Sequence, residues 1–73
     1  MINPTAQIDP RARLAQDVKI GPWVSIGPDV EIESGTVIDS HSVINGPTFI
    51  GRDNHIFPFC SIGTDPQDKK FET

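Results

Sequence analysis

Val18-Lys19-Ile20-Gly21-Pro22-Trp23, followed at once by Val24-Ser25-Ile26-Gly27-Pro28-Asp29, is the stretch that decides the fold. Side chains of an extended segment alternate between two faces, so the valine and the isoleucine of each unit point one way and Lys19 or Ser25 the other. Outward from this stretch, the isoleucine phase recurs every six residues at Ile2, Ile8, Leu14, Ile20, Ile26, Ile32, Ile38, Ile44, Ile50, Ile56 and Ile62, taking in every isoleucine and the sole leucine. Two residues ahead of it run Ala6, Ala12, Val18, Val24, Val30, Thr36, Ser42, Thr48, Asn54 and Cys60. Gly21, Gly27, Gly51 and Gly63 follow the isoleucine, and Pro4, Pro10, Pro22, Pro28 and Pro58 come one later. Such fixed-period self-similarity is the signature of a repeat architecture.

Strand segments this short must turn at each Gly-Pro. Glycine is expected to supply positive φ there, and proline fixes φ and removes a donor that a strand interior would need. Three units close a triangular coil, and residues eighteen apart then stack: Ile2, Ile20, Ile38 and Ile56 on one wall, Ile8, Ile26, Ile44 and Ile62 on the next, Leu14, Ile32 and Ile50 on the third. Backbone groups pair with the coils above and below at roughly 4.8 Å. The expected fold is an all-β parallel β-helix of about four coils. An α-helix loses the comparison, because a period of six does not place apolar residues at i, i+3, i+4 and i+7. Each regularly placed proline would also cost about 3 kcal/mol inside a helix. The period leaves handedness open, and the usual preference of parallel crossovers is right-handed.

Seventy-three residues allow one domain with a thin core, since a chain this small buries only ~60% of its unfolded surface. The coils are expected over residues 1–63, with Met1 to Thr5 as a modest cap. Residues 64–73 leave the lattice as a projecting loop. Nothing in them closes the stack, so the chain is expected to be the front of a longer protein or to rely on self-association. A formal charge of −4 with scattered Lys and Arg argues against nucleic acid, whose binding needs a basic stripe. Neither an apolar run near the ~20 residues of a membrane span nor a leader is present, so a soluble, unprocessed, cytoplasmic chain with no stable membrane insertion is expected. Cys60 lies on the inward lattice, where a free thiol behaves as a small hydrophobe.

Candidate chemistry is sparse. His41 and His55 belong to no HExxH or CxxC pattern and lack a third histidine, so no metal site is expected. As general bases they would need orienting partners, Asp39 for His41 or Asp53 for His55; solvated or interface roles suit them better. The recurring glycines follow the repeat and do not form a phosphate loop, and no cofactor is expected. On the outward phase, Arg13, Glu31 and Phe49 share one wall, where an Arg-Glu surface contact is expected to add ~0.2–1 kcal/mol. Val37, Val43 and Phe49 are apolar where solvent should be, and with Trp23, Phe57 and Phe59 at corners they suggest a subunit interface. Thr64-Asp65-Pro66-Gln67-Asp68-Lys69-Lys70-Phe71 breaks the repeat. Loops projecting from rigid scaffolds carry binding residues, and a carboxylate, an amide and an ammonium here suit the hydroxyls and phosphates of a sugar nucleotide.

Ile2-Asn3-Pro4-Thr5-Ala6, Ile20-Gly21-Pro22-Trp23, Asn45-Gly46-Pro47-Thr48-Phe49-Ile50-Gly51-Arg52-Asp53-Asn54-His55-Ile56, and Ser61-Ile62-Gly63 with Pro66-Gln67-Asp68-Lys69-Lys70-Phe71 together resemble the acyl-carrier-protein:UDP-N-acetylglucosamine O-acyltransferases of lipid A synthesis. The resemblance implies a left-handed β-helix and a homotrimer with active sites between subunits. It also implies transfer of a 3-hydroxyacyl group from acyl carrier protein to the sugar 3-hydroxyl of UDP-N-acetylglucosamine, with no cofactor or metal. The family's acceptor-contacting Asp and Lys fall on Asp68 and Lys70, with Gln67 beside them. Its general-base histidine lies after this loop, so no catalytic residue is expected within the 73, and the segment by itself is expected to be silent. Lys69 stands where the family usually has an apolar residue, and Phe71 replaces a more common tyrosine. The competing readings are a non-catalytic β-helical scaffold or trimerisation module, and another acyl- or acetyltransferase built on the same repeat.

Overall fold

The structure is a computed structural model and describes residues 1–63. Ten short strands follow the six-residue period: β1 Gln7–Ile8, β2 Arg13–Leu14, β3 Lys19–Ile20, β4 Ser25–Ile26, β5 Val30–Ile32, β6 Val37–Ile38, β7 Val43–Ile44, β8 Thr48–Ile50, β9 His55–Ile56 and β10 Ser61–Ile62. They form three parallel sheets, ordered β1-β4-β7-β10, β2-β5-β8 and β3-β6-β9. Ile8 stands under Ile26 and Ile44 under Ile62, Leu14 under Ile32, and Ile20 under Ile38. An isolated parallel bridge joins Ile2 to Ile20. Every partner is eighteen residues away, so the chain makes three full turns of a three-walled β-helix and enters a fourth. No helix occurs among the described residues.

Burial follows the two inward lattices. Val18, Val24, Val30, Ile20, Ile26, Ile32, Ile38, Ile44 and Ile50 form the core, and Ala6, Ile8, Ala12, Leu14, Ile56 and Ile62 pack against it half-buried. Of the polar residues on the inward lattice, Thr36 and Ser42 are fully buried. Coil-to-coil ladders such as Asp9 N to Ile26 O, Gly27 N to Ile44 O and Asn45 N to Ile62 O, at 2.8, 2.8 and 2.9 Å, hold the rungs together.

The corners differ from expectation in an instructive way. Positive φ falls two residues after the repeat glycine, at Trp23 (60°), Asp29 (61°), His41 (61°), Asp53 (56°) and Phe59 (61°), with Gly35 (79°) at the same phase. Gly21, Gly27 and Gly51 are not left-handed, whereas Gly63 (71°) is. Gly21 instead allows close approach: a Cβ there would stand 3.1 Å from the Ser40 backbone nitrogen and 3.2 Å from the Ile38 oxygen. Left-handed residues turn their amides toward the coil below, as in His41 N to Pro22 O, Asp53 N to Ser34 O and Phe59 N to Ser40 O, at 3.1, 2.9 and 3.1 Å. These bonds offset the ordinary cost of that conformation in a residue with a Cβ.

The first coil has no coil beneath it, and its corners close internally. Ala6 N bonds Asn3 O, Ala12 N bonds Asp9 O and Val18 N bonds Ala15 O. Asn3 Oδ1 accepts from Thr5 N at 2.9 Å and Asp9 Oδ1 from Arg11 N at 2.8 Å, the local side-chain turn that Asn and Asp favour. Side chains of this coil then serve the next one: Thr5 Oγ1 accepts Trp23 N at 3.0 Å and Asp17 Oδ1 accepts Gly35 N at 3.2 Å. At the same phase, the corner between β7 and β8 carries Pro47, whose φ cannot be positive, and the Gly46-Pro47 peptide is cis.

Candidate functional site

Gln67, Asp68 and Lys70, the expected acceptor-binding residues, lie outside the described residues. Their point of departure does not. Gly63 (φ 71°) ends the described chain at the corner above Asn45, beside the backbone oxygen of Asn45 and the hydroxyl of Thr48. A Cβ at residue 63 would collide with both, so glycine is required there by space as well as by conformation. Thr48 Oγ1 in turn donates to Asn45 O at 2.5 Å. The Asn45-Gly46-Pro47-Thr48 corner, singled out in the sequence as a motif, is thus the footing on which Gly63 rests.

The two histidines are brought to one edge of the prism, each with a partner other than the one expected from sequence proximity. His55, on the outward phase of β9, meets Asp39 of the coil below at 2.7 Å from Nε2 to Oδ2. Phe57 packs edge-on against the imidazole, with centroids 4.7 Å apart. Asp53, the expected neighbour, instead turns its carboxylate toward Gly35. His41 makes no bond to Asp39; it stacks on Phe59, eighteen residues on, with centroids 4.9 Å apart and planes inclined by 16°. A carboxylate on one ring nitrogen orients an imidazole, the arrangement a general base requires. Here both groups lie on the outer surface, and their immediate effect is to link two coils.

On the second wall, Arg13, Glu31 and Phe49 stack in register as expected. Arg13 and Glu31 nevertheless form no ion pair: the two pairs among the described residues are Arg11–Asp9 and His55–Asp39. Arg13, Glu31, Arg11 and Asp29 instead line a shallow hollow of about 530 Å³ with Pro10, Ala12 and Val30. A smaller hollow of about 230 Å³ lies beside Trp23, bounded by Thr5, Gln7 and Ser25.

Three ionisable groups among the described residues are shifted. Hydrogen bonds from the Arg11 side chain and amide hold Asp9 below the usual carboxylate range, and Arg11 is raised in return. Asp17 is lowered by the hydroxyl of Ser34, at 2.9 Å, and by the Gly35 amide. All three belong to corner architecture. No cluster of three or more His, Cys, Asp or Glu side chains that could hold a metal occurs among the described residues. No helix among them is long and apolar enough to cross a membrane, which leaves β-barrels unaddressed. Cys60 is half-buried, its amide donating to Ser42 Oγ at 3.3 Å.

Comparison with known proteins agrees with this geometry. Residues 11–46 match the bacterial transferase hexapeptide family, over six repeats. That repeat winds a left-handed β-helix, and the present chain is one. A 26-residue stretch is 69% identical to the acyl-[acyl-carrier-protein]--UDP-N-acetylglucosamine O-acyltransferase of Tolumonas auensis, covering 36% of this chain and 10% of the relative. Enzymes of the same name from Helicobacter pylori strain Shi470 and Helicobacter acinonychis strain Sheeba are each 56% identical over 27 residues, covering 37% of this chain and 10% of theirs. The matched stretch thus spans about a tenth of the length of these relatives.

Proposed function

From the hexapeptide coils shared with bacterial transferases, we propose that this chain is part of an acyltransferase that esterifies the sugar 3-hydroxyl of UDP-N-acetylglucosamine with a 3-hydroxyacyl group from acyl carrier protein. The observation that carries the reading is the 69% identity, over 26 residues, to a relative named as an acyl-[acyl-carrier-protein]--UDP-N-acetylglucosamine O-acyltransferase, on a repeat common to transferases. In the reaction the sugar hydroxyl attacks the thioester carbonyl, the hydroxyl proton passes to a general base, and the carrier's thiolate leaves. The new ester needs neither a redox partner nor a covalent enzyme intermediate.

Residues 64–73 form the acceptor-binding loop in this reading. Asp68 accepts hydrogen bonds from sugar hydroxyls, Lys70 faces the diphosphate or a sugar oxygen, and Gln67 supplies an amide of either polarity. The general base comes from outside the 73 residues. His55, held by Asp39 on the outer surface, and His41, stacked on Phe59, are occupied structurally. The assembly is a homotrimer acting in the cytoplasm at the start of lipid A synthesis.

The test is a calorimetric titration of the full chain with UDP-N-acetylglucosamine, paired with an acyl-transfer assay in the protein that carries these residues. Asp68→Ala and Lys70→Ala are expected to raise KM for the sugar nucleotide with a smaller effect on kcat. Unchanged kinetics in both variants would remove the loop from the site. Failure of the assembled protein to use any acylated carrier protein would remove the activity itself.

A further inference from the structure

Asn45 is the one asparagine of this chain that a glycine follows. Of the other two, Asn3 precedes Pro4, whose nitrogen carries no proton, and Asn54 precedes the bulky His55. Packing demands the glycine at 46, because a Cβ there would collide with the Pro28 backbone oxygen of the coil below. The fold therefore sets an unshielded peptide nitrogen directly after an asparagine. Asn45 is exposed, and its Oδ1 lies over Gly27, 3.3 Å from where a Cβ would stand. Among the described residues neither the Asn45 carboxamide nor the Gly46 amide is held by a hydrogen bond. The backbone of Asn45, by contrast, is held on both sides: its amide donates to Ile62 O at 2.9 Å, and Thr48 Oγ1 donates to its carbonyl oxygen. That oxygen belongs to the same peptide as the Gly46 nitrogen. When the nitrogen gives up its proton, negative charge spreads onto the oxygen, and a hydroxyl already donating there favours the charged form.

We propose that Asn45 is a site of self-modification, at which the folded chain converts its own side-chain amide to a carboxylate with Thr48 assisting. The Gly46 nitrogen, its proton lost to a solvent base, bonds to Asn45 Cγ, and the side-chain nitrogen takes up a proton and leaves as ammonia. A five-membered succinimide results. Water then adds to one of the two ring carbonyls and breaks that carbonyl's bond to nitrogen: attack at Cγ gives aspartate, attack at the main-chain carbonyl gives isoaspartate. Water is the sole co-reactant, and no electrons change hands. Either product adds one negative charge to a formal charge of −4. Isoaspartate also lengthens the main chain by one methylene, at the residue whose amide holds Ile62 and on whose carbonyl oxygen Gly63 rests. The extra length falls on the rung beneath Gly63. This chemistry is independent of acyl transfer.

The test is incubation of the full, folded chain in mildly alkaline buffer, with time points read by isoelectric focusing and by peptide mapping with mass spectrometry. An acidic band should grow, the amide-to-acid mass change should map to Asn45, and an isoaspartyl carboxyl methyltransferase should label the isoaspartate fraction. Asn45→Gln should abolish the band over the same period. Thr48→Val is expected to slow conversion about tenfold, the scale of one hydrogen bond to a developing charge, and Thr48→Ser to keep the original rate. An equal or faster rate in Thr48→Val would overturn the part given to Thr48. The unsubstituted chain carries the test by itself should a variant fail to fold. Conversion seen in urea and absent from the folded chain would overturn the site, because the corner would then protect Asn45. Conversion arising first at Asn54 would overturn it equally.

Discussion

The hydroxyl of Thr36 donates to the backbone carbonyl of Gly51 at 2.7 Å, joining a fully buried polar side chain of one coil to the corner of the next. The same oxygen accepts the Asn54 amide at 3.2 Å. Ser42 repeats the device, donating to Phe57 O at 2.9 Å and accepting Cys60 N at 3.3 Å. Thr36→Val keeps the shape and strands both backbone groups, so a loss of about 1–3 kcal/mol is expected. Thr36→Ser should retain most of the stability. Equal urea midpoints for the Val and Ser variants would show that the hydroxyl does not secure the corner.

Ile44 lies at the centre of the stack, between Ile26 and Ile62, with no exposed surface. Ile44→Ala removes packing on both sides at once and should cost about 2–5 kcal/mol. Ile2, bridged only to Ile20 and 49% exposed, should cost far less when changed to Ala. Similar unfolding midpoints for the two variants would contradict a core that runs along the axis.

Asp17 is the acid whose titration should be felt by the fold. Its carboxylate accepts Ser34 Oγ and Gly35 N from the next coil, and these bonds lower its pKa from the usual value of 3.8. A depressed carboxylate contributes stability above its unfolded pKa and loses it as pH falls through the lower, folded value. The melting temperature should therefore decline on acidification below about pH 4. Asp17→Ala should melt lower at neutral pH and decline less with acid. Parallel pH profiles for the two proteins would place the acid sensitivity elsewhere, Asp9 being the next candidate because Arg11 lowers it in the same way.

Asp29 holds φ at 61°. A β-branched residue is poorly suited to that conformation, and Asp29→Val should cost about 1–2 kcal/mol. Asp29→Gly should melt close to the unsubstituted protein, because glycine enters the left-handed region freely. The opposite order, measured by thermal denaturation, would mean that the Asp29 side chain matters more than its backbone.

The period of six carries much of this fold without help. It identifies which residues face inward, and, once three units close a coil, it identifies the partner of every strand residue from Gln7↔Ser25 to Ile38↔Ile56. That legibility has a physical source: a two-residue strand followed by a turn leaves no freedom to slip register without turning isoleucine outward. The turn chemistry was less accessible. Glycine after each isoleucine suggested the left-handed position, which Gly63 takes, yet at the other corners that conformation belongs to Trp23, Asp29, His41, Asp53 and Phe59, and the amides of Trp23, His41, Asp53 and Phe59 bond a neighbouring coil there. Sequence distance likewise favoured Asp53 for His55 and Asp39 for His41, and the closed coil pairs Asp39 with His55.

The order of residues by itself determined the inward lattice, the three walls and the stacking of residues eighteen apart, since these depend only on strand alternation and coil closure. It also marked Gln67, Asp68 and Lys70 as a break in the repeat. Tertiary structure alone decided which side chains meet across rungs: Thr36 with Gly51, His55 with Asp39, His41 with Phe59. Those meetings depend on corner dihedrals and side-chain directions, which a one-dimensional period leaves free and only the stacked coils fix.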